Sequence, residues 1–178
     1  MAETELITVP RAEDITRHLD DLRTRSYEGV SDRDGRNQVF TRAVELLGPV
    51  VTAVLDEVDA GFLDGEGTVE AHPVADDGEG GLEASWTLTW PAQRAAANKR
   101  APGGVGPVIV RAWFKNGFNH GHLAGSSAGY WPLQVTSEAD AARQEPIVRA
   151  IVEVELHERI YEAGWQVVPS YAKRYPTG

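Results

Sequence analysis

The apolar residues in the first third of the chain recur every three or four positions, which is the period of an α-helix. Three of them predict a short amphipathic helix over residues 13–25: Ile15, Leu19 and Leu22. A longer apolar seam then runs through residues 37–60, and its members are Phe40, Val44, Leu47, Val51, Val54 and Val58. Pro49 interrupts this seam and lacks a backbone donor, so we expect either a kink or two abutting helices there.

From residue 68 the period changes to strict alternation, which is typical of β-strands. The clearest alternation covers 82–90, where Leu, Ala, Trp, Leu and Trp are separated by polar residues. Adjacent antiparallel strands are predicted for 82–90 and 107–123, with Trp86 and Phe114 buried. Further strands are predicted at 5–9, 68–74, 129–135 and 165–171, and Pro132 favours an edge position for the third of these.

A long helix is predicted near the C-terminus. Ser137 followed by Asp140 resembles a capping signature, Pro146 is typical of a helix start, and Gly164 is typical of a helix end. An apolar stripe indicates that this helix packs on the sheet; it comprises Ile147, Val148, Ile151, Val152, Val154, Leu156 and Ile160.

The order of these elements predicts an α+β fold in one domain that spans residues 1–178. We expect an antiparallel, curved sheet packed against two N-terminal helices and one long C-terminal helix. This order loosely resembles that of helix-grip folds, in which a curved sheet wraps a long C-terminal helix around a cavity. Residues 91–106 are predicted to form a flexible loop, and the C-terminal tail is expected to fray.

The composition limits the possible chemistry. With 42% hydrophobic and 25% charged residues in 178, the chain is of ordinary globular composition, and the absence of cysteine excludes disulfides and thiolate chemistry. No apolar run approaches the roughly 20 residues of a membrane span, and the N-terminus is acidic, which favours a cytoplasmic protein. Only 3 of 17 basic residues are lysine, which indicates a GC-rich bacterial genome.

The charge is unevenly distributed. The net charge of −10 disfavours binding to nucleic acid or to a membrane, but residues 1–90 carry −13 and residues 91–178 carry +3. No Asp or Glu occurs between Glu83 and Glu138. This interval is explained either by the low acid content of strands or by a surface that attracts an anionic small molecule or an acidic protein partner.

The sequence KNGFNHGHL, residues 115–123, predicts a β-hairpin, because Asn-Gly favours a two-residue type I′ turn. That turn would pair Trp113 with His120 and Arg111 with His122. One face of the hairpin would then present Arg111, Trp113, Lys115, Phe118, His120 and His122. The opposite face would enter the core with Val110, Ala112, Phe114, Asn119, Gly121 and Leu123.

We take five residues of the first face as a candidate ligand site: Arg111, Trp113, Lys115, His120 and His122. His-x-His on a strand is also a metal-ligand pattern, but the expected neighbours are cations, and a third ligand would have to come from Glu153 or His157. We therefore predict no bound metal, and a histidine pKa lowered by the nearby cations.

Three functions remain open from the sequence. The first is a binding or accessory domain that holds an anionic ligand or acidic partner on the acid-free half of the sheet. The second is a small enzyme with a histidine-based site, with or without a metal ion, in a cavity between sheet and helix. The third is an acidic protein of the immunity or inhibitor type. The pattern indicates no particular cofactor, catalytic residue or oligomeric state.

Overall fold

The structure is a computed structural model that describes residues 12–96, 104–127 and 129–176; the predicted strand at 5–9 lies outside these residues. The described residues form an α+β fold with six α-helices, a 3-10 helix and a five-stranded antiparallel sheet. The elements are α1 (Ala12–Thr24), α2 (Arg33–Phe62), β1 (Thr68–Asp76), β2 (Leu82–Thr89), α3 (Pro91–Ala95), β3 (Val108–Phe114), β4 (His122–Ala124), β5 (Tyr130–Pro132), α4 (Glu138–Arg143), α5 (Glu145–Ala163), the 3-10 helix (Trp165–Val167) and α6 (Pro169–Ala172).

The strands lie in sequence order, and each pairs antiparallel with the next. The predicted pairing of β2 with β3 is confirmed, and both Trp86 and Phe114 are buried. Both long helices pack on the core face of the sheet, where alternate residues of β2 and β3 join one hydrophobic core with them. The opposite face, called the outer face below, carries the other set of alternate side chains, among them Ser85, Arg111, Trp113, His122 and Tyr130.

The two edge strands are irregular. The pairing of β1 with β2 shifts register between His72 and Ala75, and Pro73 lies within that shift. The edge position predicted for the segment around Pro132 is confirmed, because β5 has three residues and pairs only with β4 among the described strands.

Helix α2 buries the whole predicted apolar seam against the sheet. It continues through Pro49, so the alternative of two abutting helices is wrong, and the expected kink stays a prediction. The buried residues before and after Pro49 face the same core, which compensates for the one backbone donor that proline lacks. By length and composition α2 is the one described helix that could cross a membrane, but a core helix passes the same test, and eight of its residues are buried here.

Helix α1 forms as predicted, but its predicted apolar face is not buried. The exposed fractions are 47% for Ile15, 58% for Leu19 and 46% for Leu22. The buried side chains are instead acidic, because Asp21 accepts the backbone N–H groups of Glu28 and Gly29 and the side-chain amide of Gln134. Polar contacts therefore attach this helix, and hydrogen bonds override its apolar pattern.

The C-terminal part follows the prediction as far as Gly164. Ser137 caps α4 by accepting the backbone N–H of Asp140, and α5 ends at Gly164, which has φ of 85°. In the predicted stripe only Val154 is wrong, since it is 50% exposed. The strand predicted at 165–171 is also wrong, because Gly164 redirects the chain into the 3-10 helix, and Pro169 then starts α6.

The segment 91–106 was expected to be a flexible loop, and its described ends are folded. Residues Pro91–Ala95 form α3, and the buried amide of Gln93 donates a hydrogen bond to the carbonyl of Val105. Trp90 donates from its indole nitrogen to the carbonyl of Val167 at 2.7 Å, which joins this segment to the C-terminal helices. The centre of the segment, 97–103, lies outside the described residues.

Candidate functional site

The turn at Asn116-Gly117 forms, but the hairpin register differs from the prediction. The backbone N–H of Phe118 donates to the carbonyl of Lys115 at 3.2 Å, as a two-residue turn requires. Only Gly117 has positive φ, 86°, so the turn is not type I′. The strands pair Trp113 with His122 and Arg111 with Ala124, so the predicted partners are wrong by two residues.

The reason lies in the loop between the turn and β4, which is held by tertiary contacts. A Cβ on Gly121 would lie 2.7 Å from the ring of Phe40 and 2.9 Å from the hydroxyl of Tyr27. Asn119 accepts a hydrogen bond from Arg36 at 3.0 Å. The glycine between the two histidines is therefore required by close packing against Tyr27 and Phe40, and these contacts fix the longer loop.

A shift of two residues leaves each side chain on its predicted face, because side chains alternate with period two. Val110, Ala112, Phe114 and Leu123 are fully buried in the core, as predicted. On the outer face the rings of Trp113 and His122 stack, with centroids 4.2 Å apart and planes at 22°. Phe118 and Tyr130 meet both of these rings edge to face, and the Lys115 ammonium lies 5.5 Å from the centroid of Trp113.

Three histidines meet at one end of this aromatic cluster. The His120 ring centroid lies 4.5 Å from that of His122 and 4.3 Å from that of His18 in α1. Four buried ring nitrogens have no hydrogen-bond partner within the part of the chain that the structure describes: His18 Nδ1, His120 Nδ1 and Nε2, and His122 Nδ1. Sequence reasoning missed His18, because no pattern links α1 to a loop about 100 residues further along.

The pKa values of His120 and His122 are lowered, as predicted, but for a different reason, and the pKa of His18 is lowered as well. Burial, followed by repulsion from the neighbouring imidazoles, lowers the pKa of His120 to about 4 and that of His122 to about 3. Burial also lowers the pKa of His18, against the attraction of Asp21. The proposed cause, a cation across the strand, is wrong, since Arg111 pairs with Ala124 instead. The three rings are therefore neutral at pH 7.

We expect these lowered pKa values to make the fold less stable in acid. An unfolded histidine takes up a proton near pH 6.5, whereas the folded chain resists protonation of His120 and His122 down to about pH 4 and 3. The stability that the two neutral imidazoles contribute to the folded state is therefore complete above pH 6.5, and it decreases as the pH falls toward their pKa values in the folded chain. Urea unfolding at pH 7 and pH 4.5 measures this loss, which should be smaller in His122→Phe. Ring-proton NMR titration giving values above 6.5 would contradict the assignment.

Arg111 lies next to the aromatic cluster, in the middle strand of the sheet. Cross-strand pairs place Ser85 on one side of it and Ala124, followed by Tyr130, on the other. The side chain is half-buried, yet it makes neither an ion pair nor a side-chain hydrogen bond with any residue that the structure describes. Arg111 is thus a partly desolvated cation whose donors are unused.

The acid-free interval of the sequence is not free of carboxylates in space. Glu83 pairs across the strands with Trp113, and the charge of Asp21 acts on His18 and His120. A third carboxylate, Glu155 of α5, is fully buried. His18 and His120 therefore have an acidic neighbour in space, Asp21, although no carboxylate lies close to His120 in the sequence.

The third metal ligand considered from the sequence does not join the histidines. Glu153 and His157 line a groove between α2 and α5, whereas His120 and His122 contact His18 and the outer-face aromatics. Among the described residues no group of three His, Asp or Glu side chains is arranged to hold a metal ion.

The outer face can thus offer a guanidinium, an ammonium, aromatic rings and neutral imidazoles. Each neutral imidazole has one donor and one acceptor nitrogen. Such groups can bind anions and planar groups, and a neutral imidazole can in addition accept a proton as a base. No protein-family model, curated protein or solved structure matches this chain.

Proposed function

We propose that this protein is a cytoplasmic, non-catalytic binding domain that holds a small anionic ligand on the outer face of its sheet. The observation that carries the proposal is Arg111, a half-buried cation with no partner among the described residues. Removing a guanidinium from water without pairing it is unfavourable, and a bound carboxylate or phosphate would compensate by accepting two parallel hydrogen bonds.

The neighbours of Arg111 support a ligand that combines an anionic group with a flat apolar part. Tyr130 is 58% exposed and Lys115 is exposed, so both are available for direct contact. Trp113 is 8% exposed, so it would contribute little direct contact area. His120 and His122 are each 5% exposed, so they would contact a ligand at one ring edge and otherwise position Trp113. An acidic segment of a partner protein would use the same cations.

The experiment begins with a thermal-shift screen of carboxylates, phosphates and nucleotides, because a ligand that binds the native state raises the melting temperature. With the best ligand, Arg111→Gln is expected to weaken binding about 10-fold to 100-fold, the range for a hydrogen-bonded charge. Added salt should weaken binding to the parent protein more than to this variant.

Arg42→Gln is the matched control, because Arg42 is an exposed arginine of α2 that pairs only with nearby Glu45 in the described structure. Its affinity should stay within about twofold of the parent. Arg17 would be a poor control, since it pairs with Glu28 and Asp140. Equal losses in Arg111→Gln and Arg42→Gln would mean that only net charge matters, and no shift with any anion would also contradict the proposal.

One observation favours an enzyme as the second candidate: four buried ring nitrogens in the three-histidine cluster have no hydrogen-bond partner among the described residues. A catalytic site often leaves such groups free for substrate. Elemental analysis of the purified protein separates the two functions. Stoichiometric zinc, iron or manganese that is lost in His120→Asn would favour the enzyme, and a metal-free protein that binds an anion through Arg111 would favour the binding domain.

A further inference from the structure

A cavity of about 600 Å³ opens where the C-terminal ends of α2 and α5 meet the 3-10 helix and α6, and its volume is within the range of small-molecule pockets. Its walls are apolar and aromatic, and they include Phe62, Leu156, Ile160, Trp165, Tyr171 and Tyr175. Phe62 and the two tyrosines are each about half exposed, so the cavity presents apolar rings to solvent.

The cavity continues into the groove between α2 and α5. Phe62, Leu156 and Ile160 line both the cavity and this groove, which extends toward Val58 and Glu57. The apolar floor is therefore elongated rather than round. This shape fits a chain-like ligand better than a compact one.

One cation lies at the mouth of the cavity. Arg174 lines the cavity, is exposed, and makes no ion pair with any described residue. Its neighbour Lys173, by contrast, is neutralised by Asp64 at 2.6 Å and by Glu66 at 3.1 Å. Of these two adjacent cations, only Arg174 is free to meet an anionic group at the end of an apolar pocket.

We propose that this cavity binds a medium-chain aliphatic monocarboxylate, a fatty acid, with the chain along Phe62 and Ile160 and the carboxylate on Arg174. The apolar walls bury the chain, and the charge at the mouth complements the carboxylate. This site is separate from the outer face of the sheet and does not depend on the function proposed for that face.

The test uses octanoate and its neutral counterpart 1-octanol, with binding followed by NMR on the folded chain. Octanoate is expected to bind with its largest shift changes at the Trp165 indole N–H. Arg174→Gln should weaken octanoate binding about threefold to fivefold, the effect of an exposed charge pair, and leave 1-octanol unchanged. Lys173→Gln is the matched control and should leave both affinities unchanged.

A third variant tests the location without weakening the fold. Gly61 lines the cavity, and a side chain added there meets no atom within 4 Å, so Gly61→Phe would fill the space from a helical position. It should lower both affinities more than tenfold while the unfolding midpoint is retained. The proposal is overturned if octanoate does not bind, if Gly61→Phe binds it normally, or if both cation variants weaken it equally. It is also overturned if sedimentation shows a dimer that Gly61→Phe dissociates and octanoate does not, since the cavity would then hold a second copy.

Discussion

Replacing Phe114 by alanine is expected to lower the free energy of unfolding by about 3–5 kcal/mol, the range for a buried phenylalanine. Phe114 is fully buried on the core face of β3. Its ring packs 5.9 Å from that of Tyr27 and 6.0 Å from that of Phe40, and the guanidinium of Arg33 lies 4.1 Å from its centroid. The variant therefore leaves a cavity where the sheet, α2 and the segment before α2 meet. Urea denaturation measures the change.

Phe118→Ala provides the comparison, because this phenylalanine lies four residues away on the outer face. It is 40% exposed and meets Trp113 edge to face at 5.2 Å, so its loss should cost about 1 kcal/mol. If Phe114→Ala unfolded at the same urea concentration as Phe118→Ala, the side chain of Phe114 would contribute no more to stability than an exposed phenylalanine does.

The second large effect concerns Glu155, a fully buried carboxylate in the middle of α5. It accepts hydrogen bonds from Arg159 at 2.8 Å, from the backbone N–H and hydroxyl of Ser126 at 2.7 Å each, and from the N–H of Ile109 at 3.3 Å. Glu155→Ala removes the buried anion of Arg159 and leaves its guanidinium with the partly exposed Glu158, at 3.5 Å, as its remaining ion-pair partner among the described residues. We expect a loss of about 3–5 kcal/mol, as for other broken buried pairs.

The same helix contains a control with the same spacing. Glu145 and Arg149 form an i,i+4 pair at 2.7 Å, but their side chains are 47% and 37% exposed. Glu145→Ala should cost less than about 1 kcal/mol, because water solvates both groups once the pair is broken. Comparable losses in Glu145→Ala and Glu155→Ala, measured by urea denaturation, would show that burial does not determine the strength of these pairs.

The elements that could be predicted from the sequence are those in which the hydrophobic period and the core agree. The seam of α2 and the alternation in β2 each bury the residues that the pattern marks. The pairing of β2 with β3 follows, since both strands place alternate apolar side chains in one core. The Ser137 cap and the Gly164 terminus were also predictable, because each depends on the chemistry of a single residue.

What could not be predicted depends on contacts between distant segments. The hairpin register depends on the close packing of Tyr27 and Phe40 against Gly121, and rules based on neighbouring residues in the sequence do not include that contact. The position of His18 beside His120, with Asp21 close by, can be predicted only when it is known where α1 packs on the rest of the fold. For Glu155 a local signal existed, since a carboxylate and Arg159 lie at i,i+4 spacing within a largely apolar helix.

The sequence therefore predicts the correct sheet face for the candidate site but the wrong cross-strand partners for Arg111 and Trp113. Successive side chains of a strand point to opposite faces of the sheet, so a register shift of two residues keeps every strand residue on its predicted face. The prediction therefore places four residues on one face: Arg111, Trp113, Lys115 and His122. The change of partner matters chemically. It places Ala124 rather than a histidine beside Arg111, which leaves the guanidinium without a side-chain partner among the described residues.

The irregular edges of the sheet bear on aggregation. A straight exposed edge strand offers a row of free donors and acceptors on which another chain can add, and this is a common route to fibrils. Here β1 loses its register around Pro73, and β5 is three residues long and ends at Pro132. Neither edge is therefore a good template for strand addition, and we expect little edge-to-edge association of this open sheet.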